Sequence, residues 1–212
     1  MIANIVLFII LLQTLSMAMA KRVSALSRGF QRQSLFLALF TALLAWHEKS
    51  LELWIVAGLL LLIKVWLIPF LLKRTCVRIK VEEDLGLLVN PILSLGLIVL
   101  FGWLAYLFVG KVMVVHDRQL GMSLSVALTV LLAGFFIMSS RMKALAQIIG
   151  LMVMENGLFL AASAIAGGMP FFVEIAIFFD VFVCVLILEV FVYKINRLFT
   201  HIDVDKLDQL RG

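Results

Sequence analysis

The chain has 212 residues, of which 64% are hydrophobic and 15% charged, and its mean hydropathy is +1.17. This composition excludes a water-soluble globular protein, in which roughly 25% of residues are charged, and predicts an all-α, polytopic integral membrane protein. The net charge is +5, but the basic residues are spread over short linkers, which argues against nucleic-acid binding.

Seven hydrophobic segments follow one another, and each is predicted to be a transmembrane helix because lipid offers backbone groups no hydrogen-bonding partner. The first segment, 2–20, has no positive charge ahead of its apolar run, so we expect a spanning helix rather than a cleaved signal peptide. A polar link over about 21–33 leads to a short second span at 35–46. The third span covers 51–72, and a mixed-charge loop covers 73–84.

The remaining spans are joined by shorter linkers. The fourth covers 85–109 and carries Asn90 and Pro91 in its second turn, where a proline costs little. The last three spans are predicted at 121–138, 145–166 and 171–193.

Lysine and arginine divide unevenly between the two sets of linkers. With the N-terminus outside, the cytoplasmic linkers hold 14 of these residues and the outer linkers hold 3, while Lys64 falls inside a span. The positive-inside rule therefore predicts an N-out, C-in protein with an odd number of spans. We divide the chain into a four-helix membrane segment, a three-helix segment and a cytoplasmic tail, at 1–118, 119–199 and 200–212.

The cysteines and histidines do not predict a metal site. Cys76 and Cys184 are 108 positions apart, so their thiolates alone cannot assemble a zinc or iron–sulfur site. The three histidines, His47, His116 and His201, fall at linkers beside charged residues, and we expect them to be solvated. We therefore expect no cofactor on this chain and place any redox metal on a partner.

Three ionisable residues inside the spans are the main candidates for function, because charges in hydrocarbon are costly and often functional. Helical rise places Glu155 about 15 Å from the inner face and Asp180 about 14 Å from the outer face, so both carboxyls are expected near the midplane. Lys64 is roughly 20 Å into the third span. Pro69, one turn below it, is expected to loosen the helix and to free backbone carbonyls. This arrangement predicts a proton relay. The alternatives are a permanently protonated packing role for the two acids and a snorkelling or helix-gluing role for Lys64.

Three further polar residues are secondary candidates with structural alternatives. Glu174 lies in the first turn of the seventh span, where it would also serve as a helix cap. Glu189 lies one turn from the end of that span, where it could form a surface pair with Lys194. Asn156, beside Glu155, could form hydrogen bonds across helices.

Several of these segments resemble the membrane subunit called hydrogenase-4 component E, of the formate hydrogenlyase and group 4 nickel–iron hydrogenase complexes. The segments that carry this resemblance are GLMVMENG at 150–157, Pro170 with VEI at 173–175, Asp180, IKVWLIP at 63–69, and the tail IDVDKLDQLRG at 202–212.

The last three spans and the tail are also similar to the small three-helix subunit of respiratory complex I, called NuoK in bacteria, and to the MrpC-type subunit of sodium/proton antiporters. That subunit carries its first intramembrane glutamate directly after Gly-Leu, where this chain has Met152, and Glu155 follows one turn later. Its second glutamate falls near Cys184, and Asp180 is one turn away.

The resemblance implies a membrane subunit of a complex I-related oxidoreductase in a bacterial or archaeal cytoplasmic membrane. It implies antiporter-like subunits and a membrane anchor subunit as neighbours, with nickel–iron and iron–sulfur centres on hydrogenase or dehydrogenase partners. The chain by itself would not be an enzyme, and Lys64, Glu155 and Asp180 would move protons or Na⁺. The alternatives are a structural scaffold and a subunit of a multisubunit cation/proton antiporter. An autonomous transporter is disfavoured because inverted repeats are not evident.

Overall fold

Helices form almost all of the part of the chain that the computed structural model describes, which is residues 2–79, 89–113, 117–166, 183 and 187. The α-helices are α1 (Ile2–Ala18), α2 (Val23–Glu48), α3 (Leu51–Leu60), α4 (Ile68–Ile79), α5 (Pro91–Leu107), α6 (Arg118–Ser139) and α7 (Ala144–Ala166). Two π-helical segments, Leu61–Leu67 after α3 and Phe108–Val112 after α5, continue these helices without a break. No strand occurs within the described ranges, and the all-α prediction is confirmed there.

Four helical stretches are long and apolar enough to cross a membrane, which indicates a multi-pass membrane protein. They are Leu51–Arg74, Pro91–Val112, Arg118–Ser139 and Ala144–Ile165. Helix α1 is apolar but has only 17 residues. Helix α2 has 26 residues, but two arginines and two glutamines in its first half make it less apolar than these four. The predicted seventh span, 171–193, and the tail, 200–212, lie outside the described residues apart from Val183 and Ile187.

The predicted polar link over 21–33 is wrong, because α2 begins at Val23 and continues to Glu48. Its polar residues include Gln33, which is fully buried, whereas Arg28 and Arg32 are exposed, so only part of this polar segment faces the interior. The helix ends where Lys49 adopts a left-handed conformation with φ of 53°.

Two other predicted boundaries are corrected by the local backbone. Helix α4 continues to Ile79, so the first half of the predicted loop at 73–84 is helical. Helix α5 begins at Pro91, and the side chain of Asn90 accepts a hydrogen bond of 3.1 Å from the backbone N–H of Ile92. Asn90 is therefore the N-cap and Pro91 the first helical residue, which are the positions these residue types prefer. The prediction that placed both residues in the second turn of the helix is wrong.

Helices α6 and α7 pack backbone against backbone through three glycines. A Cβ atom added to Gly134 on α6 would collide with the backbone of Met154. One added to Gly157 on α7 would lie 2.5 Å from the backbone nitrogen of Leu131, and one added to Gly150 would lie 2.5 Å from the backbone nitrogen of Met138. Small residues at such crossings let helices approach closely within a membrane. This contact fixes the position of α7, which carries Glu155.

Helix α2 lies at the centre of the described bundle, where it contacts α1, α3, the Leu61–Leu67 segment and α7. Its inward side buries Leu26, Phe30 and Leu37, each at most 1% exposed. The segments that α2 contacts include those that hold Lys64 and Glu155, so α2 sets the surroundings of both.

The linker between α6 and α7 is tied to α1 by Arg141. This side chain is 2% exposed, and its Nη2 donates a 2.8 Å hydrogen bond to the carbonyl of Ala18 at the end of α1. Burial lowers the pKa of the Arg141 guanidinium, although an arginine remains charged at neutral pH. The bond satisfies one of the carbonyls that a helix C-terminus leaves without a partner.

Candidate functional site

A buried ion pair between Lys64 and Glu155 forms the centre of the candidate site. The Nζ atom of Lys64 lies 2.9 Å from Oε1 of Glu155, and the two side chains are 0% and 7% exposed. Lys64 belongs to the Leu61–Leu67 π-helical segment and Glu155 to α7. Two of the three residues predicted to form the relay are therefore in direct contact.

The backbone beside Lys64 departs from α-helical geometry, as Pro69 led us to expect. Proline has no N–H, so the carbonyl of Val65, four residues earlier, lacks its usual helical donor. Nε2 of Gln31 on α2 donates a 2.9 Å hydrogen bond to that carbonyl instead. The π-helical segment ends at Leu67, just before the proline. Pro69 and Gln31 together thus account for an irregular helix at this depth, where an exposed carbonyl would be costly.

Asn156, the residue after Glu155, connects the ion pair to α2. Its Oδ1 accepts a 3.1 Å hydrogen bond from Nζ of Lys64. Its Nδ2 donates to Oε1 of Gln33 and to Oγ of Ser34, both at 3.2 Å. The prediction that Asn156 forms hydrogen bonds across helices is confirmed.

The network continues from α2 to α1. Nε2 of Gln33 donates a 2.8 Å hydrogen bond to Oγ1 of Thr14, which in turn donates to the carbonyl of Ile10 at 2.8 Å. All of these polar side chains are buried. Side chains from α1, α2, the π-helical segment and α7 therefore form one polar network in the middle of the bundle.

Sequence reasoning missed Thr14, Gln33 and Ser34. Gln33 and Ser34 fell in or beside the predicted polar link, and a single threonine in an apolar run has no functional signal of its own. A signal that could have revealed Gln33 is its depth in a helix that begins at Val23. It lies about 15 Å from the start of α2, close to the depth of Asn156, which lies about 18 Å from the start of α7.

The Glu155 carboxylate makes few directed contacts. Within the described residues neither of its oxygens accepts a directed hydrogen bond, so its contact with Nζ is an ion pair. A buried oxygen without a hydrogen bond costs about 1–3 kcal/mol.

The other candidate residues are less informative. Asp180, Glu174 and Glu189 lie outside the described residues, as do His116, His201 and Cys184. His47 is exposed, as predicted. Across the described ranges, no three His, Cys, Asp or Glu side chains are grouped closely enough to hold a metal ion.

Comparison with known proteins gives one relative of unknown function. The chain is 33% identical over 85 residues to "Uncharacterized protein Rv0085" of Mycobacterium tuberculosis, an alignment that covers 40% of this chain and 39% of that protein. The chain thus spans about two fifths of the length of this curated relative. No family model matches the chain, and no solved structure matches it.

Proposed function

We propose that this chain is a membrane subunit of a complex I-related oxidoreductase of the membrane-bound hydrogenase type, in which Lys64 and Glu155 take part in proton transfer. The observation that carries the proposal is the 2.9 Å ion pair between these residues inside helices long enough to span a membrane. Both residues also stand in segments that resemble hydrogenase-4 component E, 63–69 and 150–157.

The proposal includes seven spans in an N-out, C-in arrangement in a bacterial or archaeal cytoplasmic membrane. The four long apolar stretches support it, as does the 14 to 3 division of Lys and Arg between the predicted cytoplasmic and outer sides, in which Arg28 and Arg32 count as residues near the cytoplasmic end of α2. The chain by itself is not an enzyme in this proposal. Nickel–iron and iron–sulfur centres belong to hydrogenase or dehydrogenase partners, and antiporter-like and anchor subunits are its membrane neighbours.

The geometry allows a direct proton exchange between the two side chains. The pair exists either as ammonium and carboxylate or as amine and carboxylic acid, and the proton moves between Nζ and Oε1 without displacing a heavy atom. When a second proton arrives at Oε2, the carboxyl becomes neutral, and the proton of the ammonium passes to the next acceptor of the path, for which Asp180, Glu174 and Glu189 are the candidates. The amide oxygen of Asn156, 3.1 Å from Nζ, keeps the lysine in place during this exchange.

The same geometry favours H⁺ over Na⁺ as the ion that is moved. A sodium site needs several oxygen ligands around a vacant position, and here the ammonium of Lys64 occupies the position beside Oε1 of Glu155 and Oδ1 of Asn156. Asp180, Glu174 and Glu189 remain candidates for other steps of the proton path.

The test uses the complete complex in sealed vesicles. Glu155→Gln, Lys64→Met and Asp180→Asn are expected to abolish or uncouple proton movement, while hydrogenase or dehydrogenase activity with soluble dyes is kept. Glu52→Gln, at an exposed position, is the matched control and should pump normally. Unchanged pumping in the three variants would refute the proposal, and the subunits that co-purify separate a hydrogenase complex from a multisubunit cation/proton antiporter.

A structural scaffold is the second candidate, because the network from Lys64 to Thr14 joins four helical segments. Polar side chains that hydrogen-bond across helices hold membrane bundles together without moving ions. In that case Glu155→Gln would reduce the amount of assembled complex and leave the pumping of each assembled complex unchanged. Quantifying assembly and pumping on the same membranes distinguishes the two functions.

A further inference from the structure

Two arginines lie within α2, a location that the ion-pair network does not explain. Because α2 begins at Val23, Arg28 and Arg32 are about 8 Å and about 14 Å from its start. Arg32 directly precedes Gln33, a member of the buried network. These arginines are therefore part of a bundle helix and not of a solvated linker.

The course of their side chains shows where the guanidinium groups lie. Nε of Arg32 donates to the carbonyl of Arg28 at 3.4 Å, and Nε of Arg28 donates to the carbonyl of Ser24 at 3.2 Å. Both side chains are exposed and run back along the helix towards its N-terminal end. This direction is typical of arginines that place their charge at a membrane surface. The two guanidinium groups follow one another one helical turn apart.

No described carboxylate neutralises this pair of charges. The first 47 residues contain no acidic residue. The acids within the described ranges are Glu48 and Glu52 at the junction of α2 and α3, Asp117 at the start of α6, and Glu155, which is paired with Lys64. Like charges four residues apart on a helix repel. The structure also shows no further hydrogen bond from either guanidinium group to the described residues.

A cavity of about 440 Å³ lies against the two arginines. The described part of its lining consists of Ala25, Arg28, Gln31 and Arg32. Gln31 is held in place by its bond to the carbonyl of Val65, so one wall is fixed. The cavity therefore combines two like charges, unused N–H donors and a volume large enough for a phosphate group.

We propose that Arg28 and Arg32 bind the phosphate of an anionic phospholipid whose headgroup enters this cavity from the N-terminal end of α2. Arginine bonds phosphate oxygens through two parallel N–H donors, and basic pockets between membrane helices bind anionic headgroups. A lipid is the occupant because the arginines belong to a bundle helix and point towards one end of it, where headgroups lie. In the N-out arrangement this is the cytoplasmic leaflet. The site is independent of the proton transfer proposed for Lys64 and Glu155.

The test measures thermal unfolding of the purified full chain in detergent, with phosphatidylglycerol, phosphatidylcholine or inorganic phosphate added. A lipid that binds only the folded state raises the melting temperature, and the rise grows with the logarithm of the lipid concentration once this exceeds the dissociation constant. We expect phosphatidylglycerol to stabilise the wild type and the other two additives to have little effect. In the double variant Arg28→Gln/Arg32→Gln, the apparent affinity for phosphatidylglycerol should fall at least about tenfold, because charge-assisted bonds are lost.

Two controls keep the outcome clear. Arg118→Gln removes an exposed arginine from the start of α6, the opposite end of the bundle, and should respond to phosphatidylglycerol like the wild type. If the double glutamine variant does not fold, the variant Arg28→Lys/Arg32→Lys replaces it. Lysine keeps the positive charge but cannot form two parallel hydrogen bonds to a phosphate, so the affinity for phosphatidylglycerol should fall several-fold. Equal stabilisation of the wild type and the folded variants would overturn the proposal. Equal protection by inorganic phosphate would assign the site to a free anion instead of a lipid.

Discussion

Neutralising one member of the Lys64–Glu155 pair should destabilise the protein far more than neutralising both. At 2.9 Å the attraction between unit charges is about 6 kcal/mol for an effective dielectric constant of about 20. This attraction offsets the cost of removing both charges from water. Breaking a buried pair from one side typically costs about 3–5 kcal/mol, because a buried charge is left behind, whereas replacing both partners is often nearly neutral.

We therefore expect Lys64→Met to lower the free energy of unfolding by about 3–5 kcal/mol and Glu155→Gln by about 2–4 kcal/mol, since Asn156 still accepts from the lysine. The double variant should lose less than about 2 kcal/mol, because it contains neither charge. The coupling energy from the double-mutant cycle is then about 3 kcal/mol or more, at the upper end of measured values.

The measurement is reversible unfolding in mixed micelles with increasing sodium dodecyl sulfate, followed by tryptophan fluorescence. A matched cycle uses Lys111→Met and Glu52→Gln, two exposed positions, and should be additive within about 0.5 kcal/mol. Additivity of the Lys64 and Glu155 variants within the same margin would refute the reasoning, because it would show that the two charges do not interact in the folded protein.

Three other substitutions test the features that position this pair, each by the same unfolding assay. Gly134→Ala should lower the free energy of unfolding by about 1–3 kcal/mol because the new Cβ meets the backbone of α7. Gly58→Ala, with open space around it, should raise the free energy of unfolding by up to about 1 kcal/mol. Equal effects of the two substitutions would contradict the close packing of α6 and α7. Arg141→Met should lower the free energy of unfolding by about 1–3 kcal/mol, because the hydrogen bond to the end of α1 is lost. An unchanged free energy of unfolding would show that water replaces this bond. Gln31→Leu should cost about 1–3 kcal/mol by leaving the carbonyl beside Lys64 without a donor, and faster amide exchange in the π-helical segment should accompany it.

The helices themselves could largely be predicted from the sequence, because uninterrupted apolar runs are specific for membrane spans. The predicted fifth and sixth spans, 121–138 and 145–166, lie within three residues of α6 and α7 at each end. The second predicted span, 35–46, covers only the second half of α2, because the polarity of 21–33 suggests solvent. Polar residues that hydrogen-bond to one another inside a bundle have the same composition as a linker, and only the partner helices reveal the difference.

The site could be predicted in part. Lys64 and Glu155 were found because ionisable residues are rare in spans, and Asn156 because it follows one of them. Their contact could not be derived from depth along each helix, which gives the level of a residue but not the direction its side chain faces. That direction depends on the crossing of α7 with the π-helical segment and α2, and on glycines such as Gly157 that bring α6 and α7 together.

The polarity of α2 has a consequence for the biogenesis of the protein. Insertion machinery sorts nascent segments by their apolarity, and a segment with two arginines and two glutamines in its first half partitions poorly by itself. We expect α2 to remain at the bilayer surface until α3 has been synthesised and to enter together with it. A nascent chain that stops at Glu48 would then leave α2 accessible to water-soluble labels, and synthesis up to Arg74 would protect it.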